Sequence, residues 1–245
     1  MRGFSDDEYG DAVASFYDDW YERQLDTAGA VRFLAAIAGT GQALELGVGT
    51  GRVAIPLARE GCSVDGVDAS IGMLEVLRSK PDGHLVSTWQ ADFAGIEPVK
   101  RYRLVYCIFN TFPQLGDQLR QRQCLQRVAD LLEPGGRFVI ENESPDLTRW
   151  RDGQAVHVWE VRHGLVVIEA SRHVASEQRI DSQYMAISPN GITFYPEVLR
   201  YVWPSELDLL AEQAGLELEQ RVGDWHGAAF DDRSRWCIST YRAPS

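Results

Sequence analysis

Apolar residues recur at helical spacing over 11–38, where Phe16, Trp20, Val31, Phe33, Leu34 and Ile37 mark the apolar positions and Gly39-Thr40-Gly41 ends the run. The pattern then shortens. Ala43-Leu44-Glu45-Leu46 reads as a buried strand running into Gly47-Val48-Gly49-Thr50-Gly51. A helix over 52–60 follows, closed by Gly61 in the position that favours glycine at a helix end. Strands are predicted over 63–68, 85–90, 103–109 and 137–141. Between them lie helices that Ser70 and Asp117 cap and that stop at Pro81 and at Pro134-Gly135-Gly136. Strands alternating with helices in this way predict an α/β fold built on a doubly wound parallel sheet.

Near Pro145 the pattern changes. From 156 to 201 the chain is rich in β-branched and aromatic residues, with turn signals at His163-Gly164 and Pro189-Asn190-Gly191. Three or four antiparallel strands are expected there, added to the sheet core. Pro204-Ser205-Glu206 opens a helix, with Ser205 as its cap, that runs to Ala214-Gly215, and strands over 216–222 and 235–241 finish the chain. With no internal repeat or low-complexity linker, residues 1–245 read as one domain: a helical segment over 1–38, an α/β half over 39–144, a β-rich insertion over 145–203, and a last helix with two strands over 204–245.

Charge narrows the partners. Lys and Arg number 24 against 36 Asp and Glu, a formal net charge of −12. Such a surface repels phosphate backbones and anionic membranes unless basic residues cluster. The densest basic stretch, 120–127, is interrupted by neutral Gln, so neither nucleic acid nor a membrane is expected as a partner. No apolar run approaches the ~18 residues that span a bilayer. The acidic opening Ser5-Asp6-Asp7-Glu8 is unlike a secretory signal, and Cys62, Cys107, Cys124 and Cys237 form no CxxC pair, so a cytoplasmic location and no metal are expected.

The glycine loop carries the chemistry. Glycines let backbone approach a ligand closely, and the helix N-terminus behind them offers unpaired N–H groups. A triphosphate loop ends in GKS or GKT, whereas this one ends in Gly51-Arg52-Val53. The dinucleotide fingerprint GxGxxG would place a third glycine at 52, which is Arg52. Asp68, ending the second strand, can accept hydrogen bonds from both hydroxyls of a ribose, which suits NAD and adenosyl cofactors equally. Asp92 follows the third strand, where its carboxylate can accept from an adenine amino group while Phe93 flanks the ring. Glu45, just before the loop, suits a cofactor with cationic groups better than a pyrophosphate.

Taken in order, Glu45-Leu46-Gly47-Val48-Gly49-Thr50-Gly51-Arg52, Gly66-Val67-Asp68-Ala69-Ser70 and Ala91-Asp92-Phe93 resemble the motif set of class I S-adenosylmethionine-dependent methyltransferases. Leu132-Glu133-Pro134-Gly135-Gly136-Arg137-Phe138 resembles the turn before that family's fifth strand, and Phe16-Tyr17-Asp18-Asp19-Trp20-Tyr21 its N-terminal Tyr-Asp-x-x-Tyr segment. The resemblance implies a Rossmann-like, mostly parallel seven-stranded sheet of order 3-2-1-4-5-7-6 with its last strand antiparallel. It also implies S-adenosyl-L-methionine as cofactor. Gly47 and Gly49 would face its methionine moiety, Asp68 its ribose, Ala69 and Met73 its adenine, and Asp92 and Phe93 the adenine edge and face. Ile108, Phe109 and Asn110 would border the methyl group, and Tyr17, Trp20 and Tyr21 would close over the cofactor as a helical lid, although aromatics at helical spacing serve equally as core.

The insertion over 145–203 and the Trp225-His226-Gly227 loop are expected to shape the substrate pocket. The stretch Asn110-Thr111-Phe112-Pro113 lacks the Asn/Asp-Pro-Pro-Tyr/Phe signature of DNA amino-methyltransferases, and no cysteine follows a proline as cytosine methylation requires. The chain looks most similar to bacterial small-molecule and natural-product methyltransferases. Methyl transfer to N or O of a small molecule, by a monomer or homodimer, is the expectation. The aromatic residues Phe109, Phe112, Tyr184, Phe194, Tyr195 and Trp225 favour a flat or partly apolar substrate, though each also serves as strand core. A hydroxyl acceptor needs a base within hydrogen-bond reach, and His226 is the first candidate, with Tyr17 and Asn110 beside the reacting centre. Glu141 and Glu143 turn the same way at the mouth of the fifth strand, and one of them is a candidate for function. A cofactor-binding protein without methyl transfer and an NAD-dependent oxidoreductase stay open as alternatives.

Overall fold

Three helices stand where the periodicity predicts one. A computed structural model describes residues 6–14, 16–21, 25–97 and 100–245, with residues 6–9 and 20 described by their backbone only. The helical run divides into α1 (Asp6–Val13), α2 (Tyr17–Tyr21) and α3 (Thr27–Ala38). The division has a local cause: the Asp26 side chain accepts from the Gly29 N–H at 2.9 Å, which starts a new helix.

The chain continues through β1 (Gln42–Leu46), α4 (Ala54–Arg59), β2 (Ser63–Asp68), α5 (Ile71–Ser79), β3 (Val86–Gln90), β4 (Tyr102–Cys107), α6 (Gln118–Leu131) and β5 (Leu132–Glu143). Ser70 and Asp117 cap α5 and α6 as expected, accepting from Met73 N–H and Arg120 N–H at 3.0 and 2.8 Å. The Pro134-Gly135-Gly136 segment is not a turn ahead of β5 but a bulge within it. Tyr102 pairs with Leu132 and Leu104 already with Arg137, so the residues between are looped out.

After β5 come β6 (Gln154–Arg162), β7 (Leu165–Val174), β8 (Arg179–Ser188), β9 (Gly191–Arg200), α7 (Pro204–Gln213), β10 (Glu217–Val222) and β11 (Trp236–Arg242). α7 begins at Pro204 with no side-chain cap, and Ser205 lies inside its first turn. Proline suits that start, since its missing N–H would have no partner there.

The main sheet has the order β10-β11-β5-β4-β1-β2-β3, which is the expected 3-2-1-4-5-7-6 in core-strand numbering, and β11 runs antiparallel to both neighbours. Strand alternation splits the core in two. Ala43, Leu104, Tyr106 and Val139 pack with α3, α4 and α5, while Leu44, Val105, Cys107 and Phe138 pack with α6 and α7. The direction of winding reverses between β1 and β4, so a crevice opens at the carboxyl ends of the strands there.

The inserted strands do not extend this sheet. They form a separate four-stranded antiparallel sheet, β6-β7-β8-β9. The edge of β5 beside which the insertion leaves is already taken by β11, paired along its length from Arg137 to Glu143. The second sheet instead turns one face toward the N-terminal helices. Val167, Tyr184 and Tyr195 bury against Val13, Ala14, Tyr21 and Met73, a third apolar cluster that joins the two halves over the crevice.

Candidate active site

At the end of β1 the chain turns back sharply, and Gly47, Gly49 and Gly51 take φ of 71°, 53° and 77°, values that glycine adopts without penalty. The N–H groups of Gly47 and Val48 both reach the Val67 carbonyl at 2.9 Å. Asp68 closes the loop from the other side. Its carboxylate accepts from the Gly49 N–H at 2.8 Å and the Ser70 N–H at 2.9 Å. Burial pushes its pKa up and those backbone bonds pull it down, leaving it raised overall.

Two aspartates tie the N-terminal helices down, one to this loop and one to the start of α5. Asp18 of α2 accepts from the Thr50 hydroxyl at 2.6 Å and pairs with Lys80 at 2.5 Å. Asp11 of α1 accepts from the Ser70 hydroxyl and the Gly72 N–H at 2.5 and 2.9 Å. Neither is among the residues expected at the site, although Asp18 is one of two aspartates in the 16–21 segment.

Beyond β4 the backbone is strained. Phe109 and Asn110 have φ of 55° and 56°, a region that costs a bulky residue free energy. Glu141 holds it there. Its carboxylate accepts from the Phe109 N–H at 2.7 Å, its carbonyl accepts from Asn110 N–H at 3.2 Å, and Asn110 Oδ1 accepts in turn from Glu143 N–H at 3.0 Å. The Phe109 ring is thereby presented to Tyr21 at 5.0 Å and Tyr17 at 6.5 Å, edge to face.

These parts line one cavity of about 930 Å³ that runs from the glycine loop to the inner face of the second sheet. Among the expected site residues, Tyr17, Tyr21, Gly47, Gly49, Asp68, Ala69, Met73, Asp92, Phe93 and Asn110 line it. Asp92 stands at its rim, half exposed and paired with Arg120 at 3.0 Å. Three others do not reach it. Glu45 lies buried beneath the loop, accepting from the Tyr106 hydroxyl at 3.0 Å, and Ile108 points into the α3–α5 side of the core. His226 is 63% exposed and pairs with Asp26 at 2.8 Å, outside the cavity wall, so the structure does not bring it together with the other expected site residues. The reason is Trp225: that ring buries against Phe33, and the next side chain is turned outward. The Trp20 side chain falls outside the described residues.

Of the aromatic candidates, Phe109 and Tyr184 line the cavity, Phe112 and Trp225 are core, Tyr195 packs on Phe16, and Phe194 is exposed. Glu143 lines the cavity and pairs with Arg235 at 3.1 Å, while Glu141 works beneath it. The second sheet adds groups not singled out before: Trp159, Glu169, Ser182 and Glu197. Period-two alternation would have placed Ser182 with Tyr184, and Tyr195 with Glu197, on one face.

Comparison with known proteins decides the family. Residues 43–136 match the model of a methyltransferase domain. The CcbJ methyltransferase of Streptomyces caelestis is 38% identical and superposes with a TM-score of 0.90, covering 99% of this chain and 100% of its own. The chain belongs to the class I S-adenosylmethionine-dependent methyltransferases. The cypemycin N-terminal methyltransferase of a Streptomyces species is 28% identical over 194 residues, 78% of this chain and 79% of its own. The fold also matches the S-adenosylmethionine-bound amino pentose methyltransferase CalS10 of Micromonospora echinaspora, with a TM-score of 0.66 over 95% of this chain and 96% of its own, at 21% identity.

The cavity of this methyltransferase suits the cofactor on its own terms. A Cβ on Gly49 would meet nothing within 4 Å, so the backbone there faces open space. A carboxylate, Asp68, stands at the end of β2, with apolar walls of Met73 and Phe93 beside it. The rings of Tyr17, Tyr21 and Phe109 give a surface that attracts a cationic sulfonium.

Proposed function

We propose that this methyltransferase carries the methyl group of S-adenosylmethionine to a nitrogen or oxygen of a small molecule, of the natural-product class, held between its two sheets. The observation that carries this reading is the single cavity of about 930 Å³, reaching from the glycine loop to the antiparallel sheet. That volume lies at the upper end of the ~300–1,000 Å³ usual for small-molecule sites. The cypemycin relative, named for methylating an N-terminus, supports nitrogen as acceptor.

In this reading Asp68 binds the ribose hydroxyls, Asp92 and Phe93 hold the adenine edge and face, and Gly47 and Gly49 offer backbone to the methionine end. When bound, S-adenosylmethionine supplies a methyl group on a positively charged sulfur that departs as a neutral thioether. The chain's own task is then to align the acceptor and exclude water. Tyr17, Tyr21 and Phe109 wall the reacting centre, and Asn110 borders it through a backbone that Glu141 locks in place. Asp11 and Asp18 keep the lid helices down.

Calorimetry with S-adenosylmethionine and NAD tests the assignment. Wild type is expected to bind the first and not the second. Asp68→Ala removes a carboxylate that holds the loop and the ribose together. Charge-assisted hydrogen bonds contribute ~1.5–3 kcal/mol each, so at least a tenfold loss of affinity is expected. Absence of S-adenosylmethionine binding by folded wild type would sink the reading, and transfer of labelled methyl to an amine or hydroxyl compound would extend it.

A further inference from the structure

We propose that the acceptor is an aliphatic amine that enters as an ammonium ion, and that Glu197 receives this cation and takes its proton. The inference rests on the reading of the cavity as the methyl-transfer site. Its first support is a charge count along the wall. Arg149 neutralises Glu169 at 2.6 Å and Arg235 neutralises Glu143 at 3.1 Å. Glu197 has no such partner among the described residues. Among the described residues its carboxylate accepts only from neutral groups, Gln114 Nε2 and the Tyr184 hydroxyl, each at 3.4 Å, the long limit of a hydrogen bond. A carboxylate enclosed without a cation is costly, and a cationic ligand removes that cost.

The rings around it have the matching character. Tyr17 and Tyr21 lie 4.7 Å apart, Tyr21 and Trp159 6.0 Å, and Trp159 and Tyr184 5.7 Å, a continuous run from the glycine-loop side to the hydroxyl that touches Glu197. Aromatic faces attract ammonium groups. The indole N–H of Trp159 is buried without a partner among the described residues, a donor left for a polar atom of the ligand. Burial and then Tyr21 push the Tyr17 pKa up, Arg52 opposes them, and the charges of Asp68 and Glu197 add to the rise.

Proton affinity then separates amine from alcohol. Burial first, then the charges of Glu169 and Glu143, raise Glu197 to about 7, while Gln114 and Tyr184 oppose. An ammonium near ~10 lies about three units above that, and an alcohol hydroxyl near the ~15.7 of water about nine. The ammonium gives its proton to Glu197 and regains a lone pair. That pair forms the N–C bond as the C–S bond breaks, the positive charge passes from sulfur to the methylated nitrogen, and Glu197 returns its proton to water.

The test uses protein saturated with S-adenosylhomocysteine, which binds without reacting, and two probes of one shape: N-methylbenzylamine and benzyl methyl ether. At pH 8 wild type should bind the amine at least tenfold more tightly than the ether. Glu197→Gln should reduce this preference below threefold. Glu160→Gln, on the same sheet but outside the cavity wall, should keep it. A second readout is taken on wild type: the carboxyl ¹³C signal of Glu197, assigned by its loss in whichever of Glu197→Gln and Glu197→Asp folds, should titrate near neutral pH and shift down by a unit or more with amine present. Equal binding of the two probes by wild type, an unchanged preference in Glu197→Gln, or an unmoved titration overturns the assignment. Retained S-adenosylhomocysteine binding in those samples would leave the methyltransferase site standing, whereas its loss from wild type would count against that site instead.

Discussion

Replacing Glu45 with glutamine should change how stability depends on pH while leaving the fold intact. Glu45 is 4% exposed, beneath the glycine loop, with Tyr106 fully buried beside it. Burial raises its pKa from 4.5 to about 8, the Asp68 charge adds to the rise, and the Tyr106 hydroxyl, the Arg52 charge and the Ala54 N–H oppose it. Between those two values the folded chain holds a proton that the unfolded chain has released. Stability from this group is therefore fully present below about 4.5 and lost as pH rises through about 8. Each unit of difference is worth about 1.4 kcal/mol, which bounds the loss at about 5 kcal/mol. Relaxation and water entry around a buried charge reduce this to on the order of 3 kcal/mol. Glutamine is neutral throughout and can still accept from the Tyr106 hydroxyl or donate to it. Denaturant unfolding of both proteins from pH 5 to 9 isolates the effect, because every other titrating group is common to the pair. The variant should gain on wild type by roughly 3 kcal/mol across that range. Parallel curves, whatever their offset, would refute the argument that Glu45 is held protonated.

Four further outcomes separate the parts of the site. In Gly47→Ala the new Cβ would sit 2.3 Å from Thr111 Cγ2 at a φ of 71°, so a stability loss of ~1–3 kcal/mol should appear as a lower melting temperature. Gly49→Ala meets nothing within 4 Å, so it should cost only ~1 kcal/mol of backbone strain yet weaken S-adenosylmethionine at least tenfold in calorimetry. Asp18→Asn breaks the ion pair to Lys80 and weakens the bond to Thr50; the dissociation rate of S-adenosylmethionine in stopped flow should rise by ~5-fold or more. His226→Ala, on an exposed loop outside the cavity, should leave methyl transfer within about twofold of wild type, as surface changes of ~0.5 kcal/mol allow.

What could be read from the chain follows from what was local in it. The glycine loop, the caps Ser70 and Asp117, and the alternation of short apolar strands with helices depend on neighbours in sequence, so a doubly wound main sheet was legible, while its strand order followed only from the family resemblance. The break at Asp26 was equally local, since Asp-Thr ahead of an apolar run is a start signal, but the continuous periodicity of 11–38 obscured it. Other failures came from distance. His226 had the right chemistry and a plausible loop, and only the burial of Trp225 against Phe33 turns it away from the cavity. Glu45 had the right neighbours, yet strand alternation sends its side chain under the loop, toward Tyr106 of the adjacent strand. Glu197 had no motif at all. Its environment is assembled from Tyr184 two registers along the neighbouring strand and Gln114 from the turn after β4, with no arginine among the described residues where Glu169 and Glu143 each have one. A carboxylate in a β-rich insertion reads as solvated until the lid helices and second sheet enclose it. The residue that would set acceptor chemistry is thus the one for which sequence spacing carries the least information, because its proton affinity is a property of the closed cavity and not of the strand that bears it.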